Sequence, residues 1–222
     1  MESQRETQWG QLAIPHGRRK DFDKLAPNLS FDEVERELSF IEEVIGGFLG
    51  GSFRDGRFNR DAIKGLYQYG FNGSLNWIER ASPEVRSDLF VDDFIGVSDI
   101  NQHIAIYADF EVEPSLGIVA IINAVAARAR LDRHRLKGGD EFLSIQEVAL
   151  LAGMKELSIR NAASPSSSTP LKSTRTGGLS VIEAREADRW LPGRRGYRVT
   201  DLPHGEAERN DLFQILDSWV FS

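Results

Sequence analysis

The chain predicts a mainly α-helical protein, with an N-terminal helical domain over residues 30–137 and a C-terminal module over residues 140–200 where helices flank a short β-hairpin. Three observations carry this expectation. Two S-x-x-E capping boxes, Ser30 with Glu33 and Ser144 with Glu147, mark helix starts by satisfying two orphan backbone donors each. Apolar residues recur at alternating spacings of three and four after the first box, at Phe31, Val34, Leu38, Ile41, Ile45 and Phe48. Gly177-Gly178 separates two short runs, 171–175 and 179–182, in the pattern of a hairpin.

Composition bounds the rest. The 222 residues suit one large domain or two small ones, and 41% hydrophobic with 27% charged residues is ordinary globular material. The absence of cysteine excludes disulfides, thiolate catalysis and cysteine-based zinc sites, and fits a cytoplasmic protein. Residues 1–19 hold no apolar run of the kind a signal peptide needs. The longest apolar stretch, near 116–127, is too short to span a bilayer, so no membrane association is expected. The net charge is −7, but it is unevenly spread. Residues 143–200 carry nine Lys/Arg against five Asp/Glu, residues 1–142 carry 17 against 24, and residues 201–222 carry one against five. This is a basic module on an acidic body.

In chain order, residues 1–29 lack periodicity and read as an irregular arm. Its cluster His16-Gly17-Arg18-Arg19-Lys20 is either a solvated tail or a phosphate-contacting arm. The helix after Ser30 turns its apolar stripe to the core or, alternatively, to a dimer seam. Gly46, Gly47, Gly50, Gly51 and Gly56 end it; no G-K-[ST] follows, so the glycines read as a connection and not a phosphate cradle. Asn59 caps a helix over 60–69, a second covers 74–80, and Ser82-Pro83 opens a third over 84–90. Asp92, Asp93, Asp99 and Asp109 match no ligand spacing and read as solvated caps and loops. His103 falls in a helix over 99–108. Pro114 then opens the most apolar helix, 115 to about 131, which should be central or at an interface. Its end is rich in cations: Arg128, Arg130, Arg133, His134, Arg135 and Lys137. These complement the helix dipole and linker, or form a flank that touches a DNA backbone. Gly138-Gly139 makes a hinge.

The C-terminal module follows. A helix over 145–152 buries Ile145, Val148, Ala149 and Leu151. Gly153 turns the chain in the left-handed region, Met154 plugs the core, and a second helix over about 156–163 turns Ile159, Ala162 and Ala163 inward. The opposite face carries Lys155, Ser158, Arg160, Asn161 and Ser164. Arginine pairs with guanine through two bonds and asparagine with adenine, while serine and lysine suit phosphates. Glu156 would be repelled by phosphate unless it accepts from a cytosine amine. Lys172 and Arg175 in the hairpin suit backbone or minor-groove contact. Ala184, Ala187, Trp190 and Leu191 place a last helix on the module's core, with Arg194, Arg195 and Arg198 as a further basic edge. Residues 201–222 read as an acidic tail with a short helix.

The segment S-I-Q-E-V-A-L-L-A-G-M-K-E-L-S-I-R-N-A-A, a hairpin, and then A-R-E-A-D-R-W-L resembles the winged helix-turn-helix domains of excisionases and MerR-like regulators. The resemblance covers about residues 143–200. It implies contact with double-stranded DNA through the second helix and the wing, often as a homodimer, and assigns that contact to Lys155, Ser158, Arg160 and Asn161, with Lys172 and Arg175 in the wing. A serine or threonine usually caps the second helix where Lys155 stands, so that helix is expected to start without a side-chain cap. The expected function is a sequence-specific DNA-binding protein, a transcriptional regulator of bacterial or phage type. The alternative is an acidic helical adaptor or phage-encoded inhibitor that binds a protein partner, with a purely structural helix-turn-helix. No nucleophile elbow, P-loop, H-E-x-x-H or dinucleotide fingerprint is present, so neither an enzyme, a cofactor nor a metal is expected.

Overall fold

The structure, a computed structural model, describes residues 14, 17–49, 59–80, 115–164, 167, 170–176 and 178–221, with the side chains of 44–49 and 218–221 outside that set. The helices expected over 84–90 and 99–108 lie outside the described residues, as do Asp92, Asp93, Asp99, His103, Asp109, Gly50, Gly51 and Gly56. Among the described residues the chain is mainly helical, with one small antiparallel sheet. The order is α1 (Arg19–Leu25), α2 (Phe31–Leu49), α3 (Arg60–Asn72), α4 (Asn76–Arg80), α5 (Leu116–Lys137), β1 (Phe142–Ser144), α6 (Ile145–Ala152), α7 (Glu156–Ala162), β2 (Thr174–Thr176), β3 (Leu179–Glu183), α8 (Ala184–Trp190) and α9 (Glu206–Phe221). Short 3₁₀ turns follow α1 and α8, at Ala26–Asn28 and Leu191–Gly193.

Everything is built on α5. It is 22 residues long, six more than expected at its C-terminal end, and buried on every side from Leu116 to Arg133. A helix buried all round belongs in the middle of a fold. Its start is fixed twice: Ser115 Oγ accepts from the Ile118 amide, and Glu37 of α2 accepts from the Ser115 hydroxyl at 2.5 Å and the Gly117 amide at 3.2 Å. A carboxylate suits the positive end of the helix dipole, although burial raises the Glu37 pKa against the pull of those two hydrogen bonds.

Two apolar clusters meet on α5. One gathers Phe22, Leu38, Leu66, Ile78, Ile121, Val125, Leu212 and Leu216 from α1 to α5 and α9. The other gathers Leu143, Val148, Leu151, Ile159, Ile182 and Trp190 around Ala127 and Leu131 of the same helix. Leu150 of α6 reaches back into the first cluster. Gly138 and Gly139, both at positive φ, turn the chain from α5 into β1, so the expected hinge is a sharp reversal beside a shared core helix.

Several expectations change. The described end of the arm is not irregular: α1, its 3₁₀ turn and the residue after it bury Phe22, Ala26 and Leu29, a stripe with spacings of four and three. On α2, Val34, Leu38 and Ile41 face the core, so this part of the stripe is not free to form a dimer seam. Gly46 and Gly47 lie inside α2, which runs on to Leu49. α3 starts at its Asn59 cap as expected, but continues to Asn72 and closes on a left-handed Gly73. The acidic tail holds a 16-residue helix, not a short one, because Leu212 and Leu216 find a buried place on the shared core. Arg209 of α9 also donates to the Arg135 and Leu136 carbonyls at 3.4 and 3.0 Å, satisfying orphan acceptors at the end of α5.

The cations of α5 are the largest correction. Arg128, Arg130 and Arg133 are buried, not a linker or a DNA-facing flank. Arg128 donates to the Gly70 carbonyl at 2.9 Å, the Arg198 carbonyl at 2.8 Å and Thr200 Oγ1 at 3.0 Å. Arg130 pairs with Glu147 of α6, and Arg133 with Glu141 and Asp217 at 3.3 and 2.9 Å. Buried Asp132 accepts from the Tyr69 hydroxyl at 3.0 Å and Arg135 at 3.2 Å. These charges sit inside the fold because other elements bring their partners to them.

Candidate functional site

The C-terminal module is positioned by local chemistry that the sequence announces. Ser144 and Glu147 make the full capping box: Glu147 accepts from the Ser144 amide at 2.6 Å and Ser144 Oγ from the Glu147 amide at 3.2 Å. α6 therefore begins where the strand ends. Gly153 closes it at φ +59°, and the Met154 amide returns to the Ala149 carbonyl at 2.9 Å. This is a Schellman-type stop that sends the chain into α7 at once. The turn is tight against the rest of the module. A Cβ on Gly196 would lie 2.3 Å from the Ala152 carbonyl oxygen, so only glycine lets the 193–197 segment approach.

α7 is held lightly. Ile159 is its one buried residue and α6 is its main neighbour. Lys155 occupies the cap position in extended conformation and makes no side-chain cap, as its chemistry requires. Lys155, Leu157, Arg160 and Asn161 are exposed and Ser158 half-buried. Leu157 was not among the expected site residues. It is 67% exposed in the middle of this face. Ser164 lies just past the helix end, half-buried, with its amide on the Asn161 carbonyl at 3.1 Å.

The hairpin is a three-stranded sheet, in the order β1-β3-β2. β1 was not foreseen; Phe142, Leu143 and Ser144 pair with Glu183, Ile182 and Val181. Thr174, Arg175 and Thr176 pair with Val181, Ser180 and Leu179. β2 starts at Thr174, later than expected, because the preceding residues are held elsewhere. The Leu171 amide donates to the Ala162 carbonyl at 2.9 Å and the Lys172 amide to Glu186 at 2.9 Å. Leu171 is buried, while Lys172 and Arg175 are exposed. Of the seven expected residues, four therefore share α7 and its cap, Ser164 follows that helix, Lys172 lies just before the exposed edge strand and Arg175 on it. Arg194 is less available than expected, since its guanidinium stacks 3.8 Å from the Trp190 ring centroid. Arg195 and Arg198 are exposed.

Sequence reasoning missed one connection. Glu156, the first residue of α7, accepts from Arg160 Nε and Nη2 at 3.0 and 2.5 Å and pairs with Arg19 of α1. Arg19 also donates to Gln146 Oε1 of α6 at 2.9 Å, across a separation of 127 residues. The basic run at 18–20 was the available signal; nothing in its spacing says which helix receives it.

Comparison of the chain with protein-family models, curated proteins and solved structures finds no match in any of the three. Among the described residues no group of His, Asp and Glu could hold a metal ion, and no helix is long and apolar enough to cross a membrane.

Proposed function

We propose that the protein binds double-stranded DNA in a sequence-specific manner, as a transcriptional regulator of bacterial or phage type. α6, Gly153 and α7 act as a helix-turn-helix, and the β2–β3 hairpin as its wing. The observation that carries this reading is the build of α7. It is a short helix with one fully buried residue, Ile159, following a left-handed glycine turn, and its outer face carries exposed Lys155, Arg160 and Asn161 with Ser158 half-buried beside them. A helix committed to packing would bury more of itself. A helix entering a major groove keeps base-reading and phosphate-binding side chains outward. Lys172 and Arg175 supply phosphate contacts beside it, and Leu157 suits a thymine methyl. Two copies acting as a dimer would place two such helices on the halves of an inverted repeat.

Fluorescence anisotropy on labelled duplexes across a salt series tests the reading. Affinity is expected to fall steeply with salt, with a slope of about −0.9 per neutralised phosphate on logarithmic axes. Arg160→Ala is expected to weaken the preferred duplex more than a random one. Affinity that ignores salt would refute the proposal.

A protein partner is the second reading. Leu157 and Leu179 favour it, being 67% and 63% exposed on the elements assigned to DNA. A stoichiometric protein complex that survives high salt, with no duplex bound, would replace the first reading with this one.

A further inference from the structure

We infer that Glu156 is a positioning residue for base reading, holding the guanidinium groups of Arg160 of α7 and Arg19 of α1 in place at the DNA surface. The inference rests on the DNA-binding reading and names residues that reading leaves out. A carboxylate at the start of a groove-entering helix is unfavourable if it stands free, because it faces phosphates. Glu156 does not stand free. One of its oxygens accepts from both Nε and Nη2 of Arg160, and the other forms an ion pair with Arg19. Its side chain is only 12% exposed, against 59% for Arg160 and 45% for Arg19. The acid is thus covered and the two cations face outward.

The geometry at Arg160 decides what this arrangement can do. A guanidinium presents five N–H donors in a rigid plane. The Nε–Nη2 edge is committed to Glu156, which by covalent geometry leaves the Nη1–Nη2 edge to approach O6 and N7 of a guanine. Arg160 therefore enters the groove with its plane already set, at a lower entropic cost than a free side chain. Arg19 is anchored from two sides, by Glu156 and by Gln146, and belongs to a helix whose Phe22 is buried. It supplies a phosphate contact beside α7; Asp23 of its own helix lies 3.5 Å from its Nε, so two acids balance the two arginines and the cluster acts through the outward guanidinium edges, not through a surplus of charge. The arginine of the Glu156–Arg160 pair stands largely in solvent, so the pair contributes little to stability and its effect is on orientation.

The full-length chain carrying Glu156→Gln tests this, with duplexes selected by the wild type and random duplexes compared by anisotropy. Simple charge removal would tighten binding to every duplex. The inference requires the opposite on the selected duplex: the ratio of selected to random affinity falls about tenfold or more, with the lost discrimination at the same guanine that Arg160→Ala relaxes. Glu156→Asp restores part of the ratio, and thermal stability stays near wild type. Arg19→Gln weakens all duplexes alike and lowers the salt slope by about 0.9. If the wild type prefers one duplex and Glu156→Gln keeps the full ratio, the inference fails and the DNA reading stands. If the wild type prefers no duplex, both fail.

Discussion

Replacing Glu147 by glutamine separates two jobs that one side chain performs. Glu147 closes the α6 capping box and neutralises Arg130, and the two side chains are 2% and 1% exposed. Glutamine keeps the box, since its amide oxygen can accept from the Ser144 amide. It removes the charge and leaves the Arg130 guanidinium buried. Burial pushes its pKa down only to about 10, with attraction from Glu141 opposing the shift and repulsion from Arg133 adding to it. Breaking a buried pair on one side costs about 3–5 kcal/mol. With a urea dependence of about 2 kcal/mol per molar, the midpoint moves down by about 1.5–2.5 M. Far-ultraviolet circular dichroism through a urea titration reads this directly. Ser144→Ala is the control for the cap and costs about 1 kcal/mol. The double variant Arg130→Met with Glu147→Gln should recover most of the loss, because with the guanidinium gone no buried charge is left without its counter-ion. A Glu147→Gln midpoint within about 0.5 M of wild type, or a double variant no better than the single, would refute the account of this pair.

Other consequences follow from the same geometry. Ile159→Ala removes the single buried anchor of α7; a loss of about 2–4 kcal/mol in denaturation, with weaker binding to all duplexes alike, is expected. Gly196→Ala should destabilise more than Gly153→Ala, since the added Cβ meets the Ala152 carbonyl oxygen at 2.3 Å, whereas at Gly153 the nearest atom is at 3.3 Å and the cost is mainly the left-handed backbone. Thermal melts of the two variants give the order. The Glu186 carboxylate is held below its usual pKa by Arg189, with the Lys172 amide assisting and partial burial opposing. Its stabilising contribution is therefore present above the ordinary glutamate pKa, where the unfolded chain would also be ionised, and is lost as pH falls through the lower folded value. Urea midpoints from pH 6 down to pH 3 should show Glu186→Gln and wild type converging at the acid end, by a small amount because Arg189, its main partner, is exposed and screened by solvent.

What the sequence made legible was local. The capping box at Ser144, the glycine stop at Gly153 and the α6 boundaries are set by residues within a few positions of one another. The hairpin was legible as a pair of strands. Its third strand was not, because β1 is three residues long and exists through its pairing with β3. The arginines of α5 read as a surface because charge is usually solvated. Their burial depends on Gly70, Glu147, Asp217 and Thr200, brought in by four separate segments. The same distance hid Arg19 from Glu156. The face of α7 could be listed residue by residue from its helical period, but the contact that fixes Arg160 on it could not.

Selection of bound duplexes from a random pool by the full-length chain, followed by sequencing, tests the central claim most directly. The account predicts enrichment of an inverted repeat whose half-sites lie about 10 base pairs apart, or a multiple of that, centre to centre. Each half-site should contain a guanine relaxed by Arg160→Ala and an adenine relaxed by Asn161→Ala. A pool that returns no motif, or one that both variants select unchanged, would contradict it.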